Sequence, residues 1–182
     1  MSLNSASSNM QDLLSQGNID VPSQGHVDAD AFRSVMRQLA GAVTVITTEG
    51  NGKLHGFTAT AVCSVCAEPP TVLIAVNQSA RTHPHIDQKD AFAINLLSED
   101  QKSLAEHFAT KSDNQFDTVT YRLSERGIPL LANAAAHLEC EVYKKIPIGT
   151  HTLFVGRVIG TGFERRAPLV YYNARYGLIE QL

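Results

Sequence analysis

Short runs of β-branched and apolar residues, most of them closed by a turn signal, set the strongest limit on how this chain can fold. Residues 42–48 are dense in Val, Ile and Thr and lead into a Gly/Asn-rich turn at 49–52. Residues 71–76 are almost continuously apolar, as in a buried strand. Residues 151–162 form a longer stretch whose glycines predict bends or bulges. The whole pattern predicts about six or seven strands.

Only two stretches have the spacing of substantial helices. Residues 28–41 place apolar side chains at helical intervals and end at Gly41, which suits a left-handed helix stop. The second helix begins at Ser98, where Gln101 completes a capping box, and runs to about Ala109. Strands and helices do not alternate regularly, and no G-x-G-x-x-G follows a strand, which disfavours a doubly wound dinucleotide fold. We therefore predict a mainly β fold, an antiparallel β-barrel with flanking helices.

Length, charge and hydropathy narrow the class of protein. The chain has 182 residues and a formal net charge of −3, and it has no long basic run, which argues against nucleic acid as a partner. No apolar run approaches the length that crosses a bilayer. Residues 1–25 are rich in Ser, Asn, Gln and Gly and lack the pattern of a secretory signal, so we expect a mobile tail. We expect one domain over residues 26–182 and a cytoplasmic location.

The cysteines and two clustered histidines raise the question of a metal or redox site. Three cysteines are an odd number, which argues against a disulfide framework. Cys63 and Cys66 form a C-x-x-C, but residues three apart on a regular strand point to opposite faces. No second Cys/His pair has zinc-like spacing, so we expect buried, small apolar cysteines and no metal. His83 and His85 likewise lack a partner at regular spacing, and we interpret them as surface histidines.

The stretch 55–62 is small, hydroxyl-rich and flanked by strand signals. Gly56 lacks a side chain where something must approach the backbone closely. Thr58 and Thr60 are two apart, so their hydroxyls share one face of a strand. Such a strand offers backbone N–H groups and hydroxyls to a flat polar ligand. Taken alone, the stretch is more typical of an ordinary edge strand whose threonines serve β-propensity.

Polar residues after the buried strand at 71–76 predict an anion clamp. Ser79 and Thr82 can donate hydroxyls, Asn77 lies beside them, and Arg81 can bind phosphate oxygens through two parallel hydrogen bonds. Thr82 also suits the N-cap of a short helix through Gln88, whose dipole would favour the same anion. A solvated turn with capping residues is the alternative. Lys111, just past a helix end, is a candidate second cation or a lysine answering the helix dipole.

Several short motifs together resemble a known family. In chain order they are residues 40–48, residues 56–61, Glu68-Pro69-Pro70, Asn77-Gln78-Ser79, Phe108-Ala109, Gly149-Thr150-His151 and Tyr171-Tyr172. The chain resembles, over about residues 28–182, the short-chain flavin reductases, the reductase components of two-component flavin-dependent monooxygenases. The resemblance implies an FMN-binding split β-barrel of the flavin reductase-like type that works as a homodimer. It also implies reduction of FMN, or FAD, by NADH or NADPH, with the reduced flavin leaving for a separate oxygenase component.

The resemblance further implies which residues form the site. The expected cofactor-binding residues are Gly56, Phe57, Thr58, Ala59, Thr60, Ala61, Asn77, Ser79, Arg81, Thr82, Phe108, Ala109, Lys111 and Tyr176. His151 matches the histidine of the family's Gly-Asp-His motif, beside the nicotinamide, and is the expected catalytic residue. Thr150 stands where the family commonly has Asp; it can bond to the backbone of a turn but carries no charge.

The residue types suit chemistry that the cofactors perform while the protein orients and tunes them. We expect an NAD(P)H:flavin oxidoreductase, with FMN as the first flavin considered and FAD as the second. Two alternatives share the fold: a non-catalytic FMN-binding protein, and an FMN-containing electron-transfer protein such as a ferric reductase. A pure binding protein has no need of His151 on the nicotinamide side, so this residue discriminates between them.

Overall fold

The computed structural model describes residues 27–180, and the expected tail, residues 1–25, lies outside them. The chain divides into two compact units at the step from Gln38 to Leu39. None of the helices between residues 27 and 180 has the length and apolar character needed to cross a bilayer.

The first unit contributes one described helix, α1 (Ala29–Met36). The Asp28 carboxylate caps it by accepting hydrogen bonds from the N–H groups of Asp30 at 2.9 Å and Ala31 at 3.1 Å. The prediction of a helix reaching Gly41 is wrong, because the helix ends at Met36 and Gly41 opens a strand paired with Tyr171. Strand pairing supplies Gly41 with backbone partners that the sequence alone did not reveal.

The second unit is built mainly of strands. The strands within residues 41–180 are β1 (Gly41–Ala42), β2 (Thr44–Gly50), β3 (Lys53–Ala59), β4 (Val62–Ala67), β5 (Pro70–Asn77), β6 (Ala91–Leu96), β7 (Tyr121–Leu123), β8 (Pro129–Leu131), β9 (Ala136–Ile148), β10 (His151–Phe163), β11 (Val170–Tyr172) and β12 (Arg175–Gly177). The helices are α2 (His83–Lys89) and α3 (Lys102–Ala109), the latter preceded by a 3₁₀ turn, Glu99–Gln101. The Gln101 side chain accepts from the Ser98 N–H at 3.1 Å, which confirms the predicted capping box.

Seven antiparallel strands form the main sheet in the order β3-β2-β6-β9-β10-β5-β4. Strands β3 and β4 occupy opposite edges of this sheet, yet only Thr60 and Ala61 separate them in the chain. Since consecutive Cα atoms are about 3.8 Å apart, the end of β3 lies within about 11 Å of the start of β4. The sheet must therefore curl until its edges approach each other, which is the geometry of an open barrel. This agrees with the predicted mainly β fold.

Three apolar clusters lie among the described residues, and the two larger ones are on opposite faces of β2, since Ile46 belongs to the first and Val45 to the second. The first includes Phe92, Phe154 and Cys140, all fully buried, and it receives Leu138 and Val142 from the same face of β9, as the alternation in the sequence predicts. Burial raises the pKa of the Cys140 thiol to about 12, so this cysteine is a neutral packing residue. The second cluster centres on Phe108 of α3.

The strand containing the C-x-x-C is irregular, and this overturns the expected facing of its two sulfurs. Cys63 pairs with Leu73, whereas Cys66 pairs with Thr71, because the register shifts between Ser64 and Cys66. Leu73 and Thr71 lie two apart on β5 and share one face of the sheet. Residues opposite each other on paired strands also share a face, so a bulge places both cysteines on the same side. Both are exposed rather than buried.

Two smaller sheets complete the unit. Strands β1, β11 and β12 form one, and β7 and β8 form a hairpin. Pro129–Leu131 pairs with Tyr121–Leu123 in this hairpin. Gly127 turns the chain with φ of +77°, a conformation that favours glycine.

We predict that Gly156 in β10 tolerates no side chain. A Cβ at this position would lie 2.7 Å from the Phe92 ring and 2.9 Å from the Cys140 side chain, both in the core. Gly156→Ala should therefore lower the free energy of unfolding by about 1–3 kcal/mol, measured by urea denaturation. Gly162→Ala on the same strand is the control, because its nearest neighbour would be 4.0 Å away. Equal stability of the two variants would contradict the packing described here.

Candidate functional site

The antiparallel pairing of β5 with β10 brings two predicted site segments together. Asn77, the last residue of β5, lies directly opposite His151, the first residue of β10. The Gln78 N–H donates to the Thr150 carbonyl at 2.9 Å, and the Gln78 side chain donates to the His151 carbonyl at 3.3 Å. The polar loop 77–82 and the histidine therefore lie at the same end of the β5–β10 ladder. Gln78 makes this junction, and sequence reasoning did not single it out because its partners lie 73 residues away.

The His151 ring is half-buried and is oriented by its neighbour in the chain. A hydrogen bond of 2.9 Å joins the Thr150 hydroxyl to His151 Nδ1. Thr150 thus holds the ring through a neutral hydroxyl, at the position where the family commonly has Asp. Within residues 27–180, His151 Nε2 has no hydrogen-bond partner and remains available to a ligand.

The loop 77–82 is ordered by its own side chains. Asn77 Oδ1 accepts from the Ser79 N–H at 2.8 Å and from the Ser79 hydroxyl at 2.7 Å, which closes an Asx turn. The Arg81 guanidinium is about half exposed and pairs with Asp113. Thr82 is buried at the N-cap position of α2, as predicted, but its hydroxyl makes no capping bond.

The Arg81–Asp113 pair brings the loop after α3 against the loop 77–82. Lys111 lies two residues before Asp113 in the first of these loops and is exposed. Two predicted cation positions, far apart in the sequence, thus lie on neighbouring loops. No motif signalled Asp113, because an exposed acid two positions after a lysine has no distinctive pattern.

The close approach predicted at Gly56 is made by an aromatic ring of the protein itself. A Cβ on Gly56 would lie 2.7 Å from the Phe108 ring, and both residues are buried. The Thr58 hydroxyl donates to the Ala105 carbonyl at 2.6 Å, which fixes α3 against β3. The expectation that Thr58 and Thr60 present hydroxyls from one strand face is wrong, because β3 ends at Ala59 and Thr58 is already bonded.

The remaining residues of this stretch divide between the core and the surface. Phe57 and Ala59 pack against the first apolar cluster, on the opposite side of β3 from Phe108. Thr60 and Ala61 are exposed in the link between the two sheet edges. The Ala61 carbonyl accepts from the Ala75 N–H at 3.1 Å, so the link is tied to β5. This leaves a short exposed backbone segment with small side chains.

Ala109 and Tyr176 lie with α3. Ala109 is the exposed last residue of that helix. Tyr176 packs against the cluster around Phe108, with its ring centroid 5.3 Å from that of Tyr171 and 6.0 Å from Lys102 Nζ. Burial, followed by the charge of Glu106, raises the pKa of the Tyr176 phenol, so the phenol is a neutral donor at physiological pH.

The two clustered histidines are half-buried, so their interpretation as surface histidines is wrong. His83 Nε2 lies 2.9 Å from the Thr152 hydroxyl, and its ring meets Phe154 edge-on. His85 stacks on His55 of β3. Among residues 27–180 no three His, Cys, Asp or Glu side chains come close enough together to hold a metal ion.

A cavity of about 470 Å³ opens elsewhere, and none of the predicted site residues lines it. Its wall is formed by the β7–β8 hairpin, β9 and the far half of β10, and it includes two arginines and two glutamates, Arg122, Arg126, Glu125 and Glu139. The mixed charges give it no preference for an anion. The junction of the loop 77–82 with His151 therefore remains the better candidate site.

The junction is chemically suited to a phosphate-bearing ligand. Among residues 27–180, the Arg81 guanidinium pairs only with the exposed carboxylate of Asp113, and an incoming phosphate can exchange with that carboxylate. His151 offers its Nε2 at the same end of the β5–β10 ladder. The exposed, small-residue backbone at 60–61 leaves space for a flat group close to the main chain.

Most of the chain is similar to known proteins. Residues 36–180 match the model of the flavin reductase like domain. The reductase component of 4-nitrophenol 4-monooxygenase/4-nitrocatechol 2-monooxygenase from Rhodococcus opacus is 40% identical over 151 residues, which cover 83% of this chain and 81% of that protein. The FMN reductase (NADH) RutF of Pseudomonas syringae pv. syringae (strain B728a) is 38% identical, covering 80% of this chain and 84% of RutF.

A solved structure extends the likeness to three dimensions. The NADH:FAD oxidoreductase SgcE6 of Streptomyces globisporus C-1027, in complex with NAD and FAD fragments, superposes with a TM-score of 0.82 and 34% identity. The match covers 90% of this chain and 98% of that one. With the family model spanning most of the chain and relatives matching nearly end to end, this protein belongs to the flavin reductase-like family.

Proposed function

We propose that this protein catalyses the reduction of FMN by NADH and hands the reduced flavin to a separate oxygenase component, with FAD as the second flavin. The observation that carries the proposal is the register of β5 and β10, which sets His151 opposite Asn77 at the mouth of the Arg81 loop. The open end of the β5–β10 ladder would thus serve as a phosphate site beside an oriented imidazole. A protein that only stored flavin would need the first of these alone.

The residues divide into three roles. Arg81, the Asn77–Ser79 turn and Lys111 hold the flavin phosphate. The exposed backbone of Thr60 and Ala61 lies against the flavin, and the remaining predicted residues support it. These are Gly56, Phe57, Thr58, Ala59, Thr82, Phe108, Ala109 and Tyr176. Bound flavin supplies the hydride-accepting chemistry, which no side chain can provide.

His151 orients the nicotinamide and holds a hydrogen-bonding nitrogen where charge changes during the reaction. Thr150 fixes the orientation of the ring, so that Nε2 keeps a constant direction. Backbone N–H groups near residues 58–61 favour the negative charge of a reduced flavin. The protein would thus bind and orient the two cofactors and stabilise the charge that develops, and the cofactors would supply the hydride chemistry.

The relatives support NADH as the reductant and an oxygenase as the recipient. One is named as the reductase component of a nitrophenol monooxygenase and another as an NADH-dependent FMN reductase. Since NADH is produced and consumed in the cytoplasm, we place the protein there.

The first test is oxidation of NADH, followed by its absorbance, with and without added FMN, FAD or riboflavin. We expect oxidation that depends on added flavin. His151→Ala should lower kcat/KM by about 100-fold, because a misplaced reactant costs that order of rate. Thr150→Ser keeps the hydroxyl and should retain most of the activity. Full activity of His151→Ala would remove this residue from the mechanism, and flavin binding without oxidation would favour a binding protein.

The second test concerns the phosphate. Arg81→Ala should weaken FMN binding about 10- to 100-fold, since a charge-assisted hydrogen bond contributes about 1.5–3 kcal/mol. Riboflavin, which lacks the phosphate, should bind the variant and the wild type equally in a fluorescence titration. Arg122→Ala is the control, because this arginine lies on β7 beside the other cavity. Equal losses of FMN and riboflavin affinity would place Arg81 outside the phosphate site.

The proposed homodimer uses the face of the sheet that points away from the core. Leu73 and Ala75 of β5 pair with Val155 and Leu153 of β10, and all four are half-buried in the single chain. Their neighbours in sequence, such as Ile74 and Phe154, face the core instead. A contiguous apolar face of this kind is typical of an interface between subunits.

Sedimentation analysis should therefore find a dimer. Val155→Glu should shift the protein to monomer by placing a charge in the apolar contact. Leu123→Glu is the matched control, because Leu123 is an exposed apolar residue on β7, outside this face. A monomeric wild type, or a dimer unaffected by Val155→Glu, would contradict the proposed interface.

A further inference from the structure

Beneath the loop 77–82, α2 contacts the β2–β3 hairpin through two stacked imidazoles. The rings of His55 on β3 and His85 on α2 are nearly parallel, with an interplanar angle of 8° and centroids 3.6 Å apart. Gly50 leaves room for this stack, because a Cβ there would lie 2.4 Å from His85 Nδ1. Two aromatic faces at van der Waals distance attract each other while at most one ring is charged, and two imidazolium rings at this distance repel each other.

The nitrogens of the pair are poorly prepared for a second proton. His85 Nδ1 is buried and has no hydrogen-bond partner in the part of the chain that the structure describes, residues 27–180. His55 Nε2 lies 3.3 Å from the Gly50 carbonyl, so one ring already has an acceptor for its proton. A proton added at His85 Nδ1 would be buried without an acceptor, which is costly in a partly desolvated site.

The positive charges around the stack also disfavour protonation of His55. Burial, then the proximity of His85, lowers the pKa of His55, and Arg81 of the loop lowers it further. Glu49 of β2 acts in the opposite direction but is paired with Lys89 of α2 at 2.6 Å. Two further acids near α2 are also occupied, because Lys145 of β9 bonds to Asp87 at 2.9 Å and Asp90 at 2.7 Å.

The stack is mechanically connected to the loop. His85 lies three residues after Thr82, in the first turn of α2. The Ile86 N–H donates to the Thr82 carbonyl at 3.1 Å, and the His83 N–H donates to the Ala80 carbonyl at 3.0 Å. A displacement of this turn is therefore transmitted to Arg81, which lies between Ala80 and Thr82.

We propose that His55 and His85 are positioning residues for the flavin-phosphate loop, and that protonation of this pair in mild acid displaces α2 and releases the phosphate of FMN. The inference rests on the proposed function of the loop. The pKa of His55 in the folded protein lies below its ordinary value of 6.5. The stabilisation that the uncharged stack gives to the folded protein is therefore complete above this ordinary pKa. It is lost as the pH falls through the lower pKa of His55 in the folded state.

Attraction between the protonated histidines and the phosphate would oppose the release of FMN, but it is the weaker effect. A protonated pair adds positive charge behind Arg81, which by itself would attract a phosphate. That attraction would act at the half-exposed Arg81 side chain, where solvent and salt screen it. The repulsion acts between two half-buried rings 3.6 Å apart, where screening is small. Acid should accordingly weaken the binding of FMN rather than strengthen it.

The experiment measures dissociation constants of FMN and riboflavin by fluorescence from about pH 8 to about pH 5.5, the range in which histidines titrate. The proteins are wild type, His55→Gln, His85→Gln and, as a control, His137→Gln, whose histidine lies on β9 with Nε2 near the Leu131 carbonyl. The phosphate of FMN itself titrates near pH 6. The readout is therefore the ratio of wild-type to variant affinity at each pH, because the ligand's titration is common to both.

In wild type and His137→Gln, FMN affinity should fall about tenfold more on acidification than in either stack variant, which corresponds to one pKa unit of coupling. Riboflavin should show a smaller difference, because it makes no phosphate contact. Parallel pH profiles of wild type and the stack variants would overturn the proposal. Failure of wild type to bind FMN near pH 8 would instead contradict the proposed function.

A second measurement needs no variant and no flavin. Hydrogen exchange of wild-type α2 amides, corrected for intrinsic rates and referred to α3, should show reduced protection at about pH 5.5 relative to about pH 7.5. Unchanged relative protection of α2 would overturn the proposal even if the substitutions prevented folding.

Discussion

The antiparallel ladder between β5 and β10 is the contact on which the rest of the molecule depends. It joins the two strands for seven residue pairs, from His151 opposite Asn77 to Arg157 opposite Thr71. One face of the ladder contributes Ile74 and Phe154 to the core, and the other presents the apolar side chains of the proposed subunit contact. Its open end holds His151 and the loop 77–82. A slip of one residue would exchange the two faces, so core, interface and site share one register.

Close packing of bare backbone against aromatic rings supports that register. Gly56 lies against Phe108 and Gly156 against Phe92, in each case at a distance that no Cβ would allow. Threonine hydroxyls stabilise the same framework, because buried hydroxyls require partners. Thr58 bonds to the Ala105 carbonyl of α3, and Thr48 bonds to the Ala91 carbonyl of β6. Residues that suggested a ligand surface thus serve partly to hold the site's walls in place.

Local patterns predicted much of this, and they failed where a distant strand decided the outcome. The Asn51–Gly52 turn, the capping box at Ser98 and the buried face of β9 follow from short-range spacing and were predicted correctly. The facing of Cys63 and Cys66 was not, because it depends on a bulge against β5. The β7–β8 hairpin was also missed, since its strands are only three residues long and lack a periodic signal.

The sequence by itself determined that this chain is rich in strands, that a polar Arg-containing loop follows a buried strand, and that a histidine opens a later one. These properties depend on neighbours within a few positions. Only the tertiary structure decided that the loop and the histidine meet, that Asp113 approaches Arg81, and that His55 stacks on His85. Such contacts join residues far apart in the chain, and they arise from strand register and helix docking, which no local pattern records.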